Sequence, residues 1–236
     1  MKTETHLLRN TARLAGLLYF IAAVLSYFGL MYSPLDSNVK NDNVTTVSNI
    51  LGNEFLFRLK IASNLTSAII FLVLVFVLYR LFKDVKQQNA KLMVAFIVVQ
   101  VPITFFLEAF RIAALVTLKS DLMPSFDQAQ ANMIAMSYLK IYQSGVGIQE
   151  IFWGLWLIPF GQLVYRSGFI PRIIGVFLIL GAIAYLVDSA AFLLYPDQKA
   201  KVTKFAVIFW ALAEFPTILW LVIKGVKGPK TQKIQH

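Results

Sequence analysis

Five ionisable side chains stand inside long apolar runs of this chain: Glu108, Arg111, Glu150, Asp188 and Glu214. An ionised group at the centre of a bilayer costs at least about 2.5–3.5 kcal/mol even on lenient scales, so each needs a partner, a water path or a proton. Glu108 and Arg111 are three residues apart, the spacing of a direct ion pair on one helix face. If all four carboxylates are ionised they carry −4 against the +1 of Arg111, and the residual −3 cannot simply be buried. Either Arg58 and Lys60 reach inward, or some carboxyls hold protons, or a cation or cationic ligand binds among them.

The polar residues recur at helical spacing. Gln100, Thr104, Glu108 and Arg111 share one face; Gln143, Gly147, Glu150 and Gly154 share another, with Gln149 beside it. Gly181, Tyr185, Asp188 and Phe192 form a third stripe, and Trp210, Glu214, Thr217 and Leu221 a fourth. Four helices with one polar stripe each are expected to turn those stripes toward a bundle interior. At 1.5 Å rise per residue, Glu108, Arg111, Glu150 and Asp188 fall roughly 4–9 Å to the external side of the midplane, with Glu214 near it. Arg58, Lys60 and Asn64 enter from the same side, which predicts a polar pocket open to the exterior. Pro216, two residues after Glu214, removes a backbone hydrogen bond to the Leu212 carbonyl and marks a bend.

The elements that carry these stripes follow from composition. Of 236 residues, 58% are hydrophobic and 14% charged, against about 45–50% and about 25% in soluble domains. A bilayer core of about 30 Å requires about 20 apolar residues per helix. Six segments reach that length: 11–32, 58–82, 91–118, 145–165, 172–195 and 202–223. The fold expected is an all-α membrane protein, a six-transmembrane helix bundle forming a single integral membrane domain over residues 1–236. The first span follows Lys2, Arg9 and Arg13 and is too long for a signal core, so it reads as retained.

The net charge of +10 is spread over the connections, where it marks topology and not a nucleic-acid partner. One set of connections holds 13 Lys and Arg, including Arg80, Lys83, Lys86 and the Lys224–Lys233 tail; the other holds 8, including Lys119, Lys140 and Lys199. The positive-inside rule then puts both termini in the cytoplasm. Two external connections carry structure of their own. The first has a polar turn (Ser33, Pro34, Asp36, Asn38) and a helix from Thr45 or Ser48 with Val47, Ile50, Leu51, Phe55 and Leu56 as its apolar face along the membrane surface. The second has a helix start at Pro124 and extends span four through Met133, Met136, Leu139 and Tyr142, or caps the bundle.

Zero cysteines exclude disulfides, thiolate metal sites and a cysteine nucleophile, and the two histidines, His6 and His236, lie near the termini. No metal centre and no cofactor are expected, and no phosphate-binding Gly-Lys-Ser/Thr motif occurs.

Asn49-Ile50-Leu51 through Phe57-Arg58-Leu59, and Tyr165-Arg166-Ser167-Gly168-Phe169-Ile170-Pro171-Arg172-Ile173-Ile174-Gly175, resemble the bacterial membrane proteins grouped as domain-of-unknown-function family 4386. Arg13-Leu14-Ala15-Gly16-Leu17-Leu18-Tyr19 and Gly181, Tyr185 and Asp188 fit the same pattern. The resemblance implies a polytopic protein of the bacterial cytoplasmic membrane and assigns no reaction and no catalytic residue.

Three functions fit these observations. The first is binding or transport of a small cation, a proton or an amphiphilic ligand at a pocket formed by Arg58, Asn64, Glu108, Arg111, Glu150, Asp188 and Glu214. The second is a non-catalytic accessory or structural role, in which the polar layer specifies helix packing. The third is a lipid-modifying enzyme using paired carboxylates, which lacks an in-membrane His or any recognisable nucleophile. The bilayer itself is the one certain environment; no protein partner is identified.

Overall fold

A computed structural model describes residues 2–31, 43–119 and 127–226. The polar turn at Ser33–Asn38, Pro124, His236 and the tail lysines Lys227, Lys230 and Lys233 lie outside the described residues. Within them the secondary structure is entirely helical: α1 (Lys2–Ser26, continued by a π turn at Tyr27–Met31), α2 (Asn43–Gly52), α3 (Glu54–Phe82), α4 (Gln87–Leu118), α5 (Gln128–Ser167), α6 (Arg172–Leu194) and α7 (Lys199–Leu219, continued by a π turn at Trp220–Lys224).

Among the described residues, five segments are long and apolar enough to cross a membrane: Leu7–Leu30, Glu54–Phe82, Gln87–Leu118, Arg172–Leu194 and Pro196–Lys224. α5 has 40 residues, yet its apolar half carries Gln149, Glu150 and Gln162 and is diluted by glycines, so it is less apolar than the other five. Helix starts precede the expected ones by four residues at α3 and at α4, because Asn53 and Lys86 already accept the first helical hydrogen bonds from Phe57 and Ala90. α5 is the extension of span four foreseen in the sequence. Its start is fixed by a reciprocal cap, in which Asp127 Oδ1 accepts from the Gln130 backbone at 2.8 Å and Gln130 Oε1 accepts from the Asp127 backbone at 3.1 Å.

The chain forms two compact units. The first comprises the described residues of Met1–Ile21, Ile70–Gln100 and Glu150–His236. Its core is a chain of aromatic rings, Tyr19, Phe71, Trp156, Phe160 and Phe82, each within 6 Å of the next. α5 and α6 are joined through Gly168, whose φ of 71° is left-handed and suits glycine. They meet backbone to backbone: a methyl group on Gly175 would lie 2.7 Å from the Gly161 carbonyl oxygen. Near Glu150, a methyl on Gly154 would lie 2.8 Å from the Ala182 carbonyl oxygen of α6.

The second unit comprises Ala22–Ile69 and Val101–Gln149. Val47 and Ile50 of α2, Phe57 and Ile61 of α3, Ala114, Leu115 and Leu118 of α4, and Ala135, Met136 and Leu139 of α5 form its buried core. The face expected on α2 is thus divided. Val47 and Ile50 point into the core, whereas Leu51 and Phe55 remain exposed. Polar contacts join its helices as well: Ser67 donates to the Ala22 carbonyl at 2.8 Å, and Gln149 to Thr104 Oγ1 at 2.5 Å.

Candidate functional site

The structure distributes the predicted site residues between the two units. Asn64, Glu108 and Arg111 meet in the second; Glu150, Asp188 and Glu214 belong to the first.

In the second unit, α4 presents Glu108 and Arg111 one turn apart, and both are 1% exposed. Arg111 Nη1 donates to the two carboxylate oxygens at 3.4 and 3.3 Å and to the Gly29 carbonyl at 3.4 Å. Gly29 lies in the π turn that continues α1. Glu108 Oε1 also accepts from Asn64 Nδ2 at 2.6 Å and from the Tyr142 hydroxyl at 3.3 Å. The guanidinium carbon lies 4.9 Å from the centre of the Phe57 ring and 5.0 Å from that of Tyr142, a double cation–π contact in a dry setting. The pair is neutral as a whole, and four helices contribute to it.

Lys60 is fully buried in the same unit, on the α3 stripe between Phe57 and Asn64. Arg58 is different: its half-exposed side chain pairs with Glu54 at 2.8 Å, and Glu54 is shared with Lys119, also at 2.8 Å. One turn of helix brings Glu54 to Arg58 at the surface, so Arg58 does not join the buried pair as the sequence led us to expect.

In the first unit, Lys199 holds the centre. Its ammonium donates to Glu150 Oε2 at 3.1 Å, to the Asp188 backbone carbonyl at 3.4 Å and, in a short contact, to Asp188 Oδ2. The Phe192 ring centre lies 6.0 Å from the ammonium nitrogen. Asp188 is fully buried, and its Oδ1 accepts from Thr203 Oγ1 at 2.7 Å. Lys199 and Glu150 retain 23% and 12% side-chain exposure, whereas Asp188 retains none. A short 3₁₀ turn at Pro196–Gln198 sets Lys199 at the first position of α7, eleven residues beyond Asp188.

Glu214 forms a third polar point. Tyr185 donates to its Oε1 at 3.0 Å, the Tyr19 hydroxyl lies beside it, and Tyr185 stacks on Trp210 with centroids 4.5 Å apart. Hydroxyls, and no cation, face this carboxyl among the described residues. Pro216 follows it, and the helix widens into the π turn at Trp220 two residues after Ile218.

Lys199, Thr203, Tyr142 and Tyr185 were not singled out as a set by the sequence. Tyr185 stood on the Asp188 stripe and Tyr142 on the α5 extension, whereas Lys199 was counted as a loop charge. Its signal was Tyr195-Pro196, a turn short enough to return the next helix over Asp188. Among the described residues, no group of three or more His, Cys, Asp or Glu is arranged to hold a metal ion.

Comparison with known proteins adds a family. The model described as "Domain of unknown function (DUF4386)" matches residues 14–225. The chain belongs to this family. Both polar centres of this DUF4386 protein, and the turn at Gly168, lie within the matched residues. An uncharacterised protein of Archaeoglobus fulgidus is similar to it, 31% identical over 90 residues, which are 38% of this chain and 51% of that protein. The chain thus spans about half the length of the curated relative it matches. No solved structure matches this DUF4386 chain.

Proposed function

We propose that this DUF4386 protein is a single integral membrane domain of six spans, with α5 as the sixth, that binds and exchanges a proton or small cation at the Glu150–Asp188–Lys199 centre. The observation that carries the reading is the charge ratio: two carboxylates share one ammonium, and that ammonium is partly exposed. A fixed structural pair is served best by balanced charge in a dry site. An acid-rich, partly exposed site with a lysine as its counter-ion is suited to exchange, since a proton or cation can replace what Lys199 supplies. Glu214, faced by tyrosine hydroxyls, adds a further protonatable group in the same unit.

The excess of Lys and Arg on one set of connections supports cytoplasmic termini, which puts Lys199 at the external end of its helix. The bacterial cytoplasmic membrane is the setting that the family resemblance in the sequence supports. The Glu108–Arg111 pair supports a second, architectural role for the polar residues of the other unit, because its charges balance and it is fully buried.

The test is charge displacement on a solid-supported membrane after a pH or sodium jump. A transient current is expected from the wild-type protein and from Glu108→Gln, and its loss is expected in Glu150→Gln combined with Asp188→Asn. A wild-type protein that gives no current, or a double variant that keeps it, defeats the exchange reading.

A further inference from the structure

One end of the first unit gathers cations that no carboxylate answers. Arg9 and Arg13 lie near the start of α1 and Lys224 at the end of the π turn that continues α7, joined where Arg13 donates to the Ile223 carbonyl at 3.4 Å. The reversal from α3 to α4 carries Arg80, Lys83, Lys86 and Lys91, and that from α5 to α6 carries Arg166 and Arg172. Contacts bring the three groups to the same end. Phe82 and Phe169 have ring centroids 5.5 Å apart, and Asn89 donates to Gln162 at 2.6 Å. A methyl on Gly181 would lie 2.5 Å from the Ala213 Cβ, which sets the start of α6 level with the end of α7. Asp84 is the one carboxylate among the described side chains of these reversals and helix ends. Arg58, Arg111, Lys119 and Lys199 each pair with a carboxylate; among the described residues, none of the nine cations at this end does.

Marking topology requires only an excess of charge. A surface that holds lipid headgroups also requires cations free of internal partners and beside apolar area, and this end has both. All nine are exposed except Lys86, which is partly so. Arg13 adjoins Leu14, Lys91 adjoins Leu92 and Arg172 adjoins Ile173, and those apolar side chains are 48%, 50% and 54% exposed. Long basic side chains next to bare apolar surface suit the boundary between headgroups and acyl chains, where the stem lies on hydrocarbon and the charge meets phosphate. A soluble polyanion such as a nucleic acid is served instead by cations standing clear of apolar surface. We propose that this end of the first unit is a docking surface for anionic phospholipid headgroups, spread over the α1–α7, α3–α4 and α5–α6 ends. Lys199 starts α7 and Lys224 closes the π turn that continues it, about 37 Å apart at 1.5 Å per residue. The surface is therefore independent of the exchange centre.

The test compares phosphatidylglycerol with phosphatidylcholine, each spin-labelled at the same chain position, in phosphatidylcholine bilayers that hold the full chain. Electron paramagnetic resonance separates lipid restricted by the protein from free lipid. Phosphatidylglycerol is expected to be restricted about threefold in preference, the average of about fivefold at this end and parity at the other. The preference should vanish as salt rises from about 0.01 M to about 1 M and the Debye length contracts from about 30 Å to about 3 Å. Arg166→Gln combined with Arg172→Gln should lower it to about twofold. Lys201→Gln combined with Lys204→Gln removes the same charge from the opposite end of α7 and should leave it unchanged. Equal restriction of the two lipids at low salt, a preference that the arginine variant leaves whole, or an equal fall in the lysine variant, each overturns the proposal. A single-stranded oligonucleotide that binds the protein while the two lipids stay equal would assign the surface to a soluble polyanion. The headgroup and salt comparisons use wild-type protein, so they stand even where a variant fails to fold.

Discussion

The two polar centres of this protein solve the same problem in opposite ways. In the second unit one carboxylate meets one guanidinium, both are sealed from water, and the aromatic rings of Phe57 and Tyr142 lie on the cation. In the first unit two carboxylates meet one lysine that keeps about a quarter of its side chain exposed, and a third carboxyl, Glu214, meets hydroxyls and no cation among the described residues. Arginine and lysine are matched to these settings. Guanidinium is never deprotonated and offers a rigid fork, whereas an ammonium on a four-carbon stem can move away or lose its proton. The comparison separates a charge-balanced, buried pair from an acid-rich, partly exposed centre.

The sharpest way to break that distinction is to remove each cation in turn. Arg111→Ala leaves Glu108 buried without a counter-charge and is expected to cost about 3–5 kcal/mol of stability, whereas replacing Glu108 and Arg111 together by methionine should recover most of the loss. Lys199→Ala is expected to cost about 1–2 kcal/mol, between the ranges for exposed and buried pairs, because Lys199 and Glu150 are only partly buried. Unfolding in mixed micelles with increasing denaturing detergent measures both. If Lys199→Ala proved as damaging as Arg111→Ala, the partly exposed centre would be as structural as the buried one and the contrast would collapse.

What was legible in the sequence divides along the same line. Apolar runs and i, i+3/i+4 stripes are local properties of a helix, so the helices and the Glu108–Arg111 pair could be read from spacing alone. Asn64 was also found, because it lies on the inward face of α3. Contacts made across a chain reversal were not legible. Lys199 reaches Asp188 only because the Pro196–Gln198 turn starts α7 at that point, and a residue counted as a surface charge became the centre of the site. Arg58 failed in the converse way. Its position near the membrane boundary suggested inward reach, but Glu54 sits one turn before it and offers a nearer partner at the surface. The Asp127-x-x-Gln130 cap was present in the sequence and would have placed the start of α5 without reference to Pro124.

A smaller perturbation sharpens the comparison by geometry. Gly154 lies one turn from Glu150, and its face touches the backbone of α6. Gly154→Ala should force α5 and α6 apart at a cost of about 1–3 kcal/mol and carry Glu150 away from the ammonium shared with Asp188. The second unit contains neither helix segment, so its ion pair should be untouched. Acetylation of Lys199, read by mass spectrometry, is expected to quicken in this variant while the environment of Arg111 stays constant. An unchanged Lys199 rate would mean that Asp188 alone holds the lysine.

The smallest expected change is at Glu214. Tyr185 donates to Oε1, and a glutamine keeps an oxygen acceptor at that position, so Glu214→Gln should alter stability by less than about 1 kcal/mol. Its value lies in the titratable proton it removes. No cation faces Glu214 among the described residues, so the isosteric change tests whether a protonatable group at this point matters for exchange. If proton or cation currents fall while stability holds, Glu214 belongs to the same functional path as Glu150 and Asp188. If both are unchanged, the tyrosine–glutamate contact is a packing device, and the proposed exchange is confined to the centre built around Lys199.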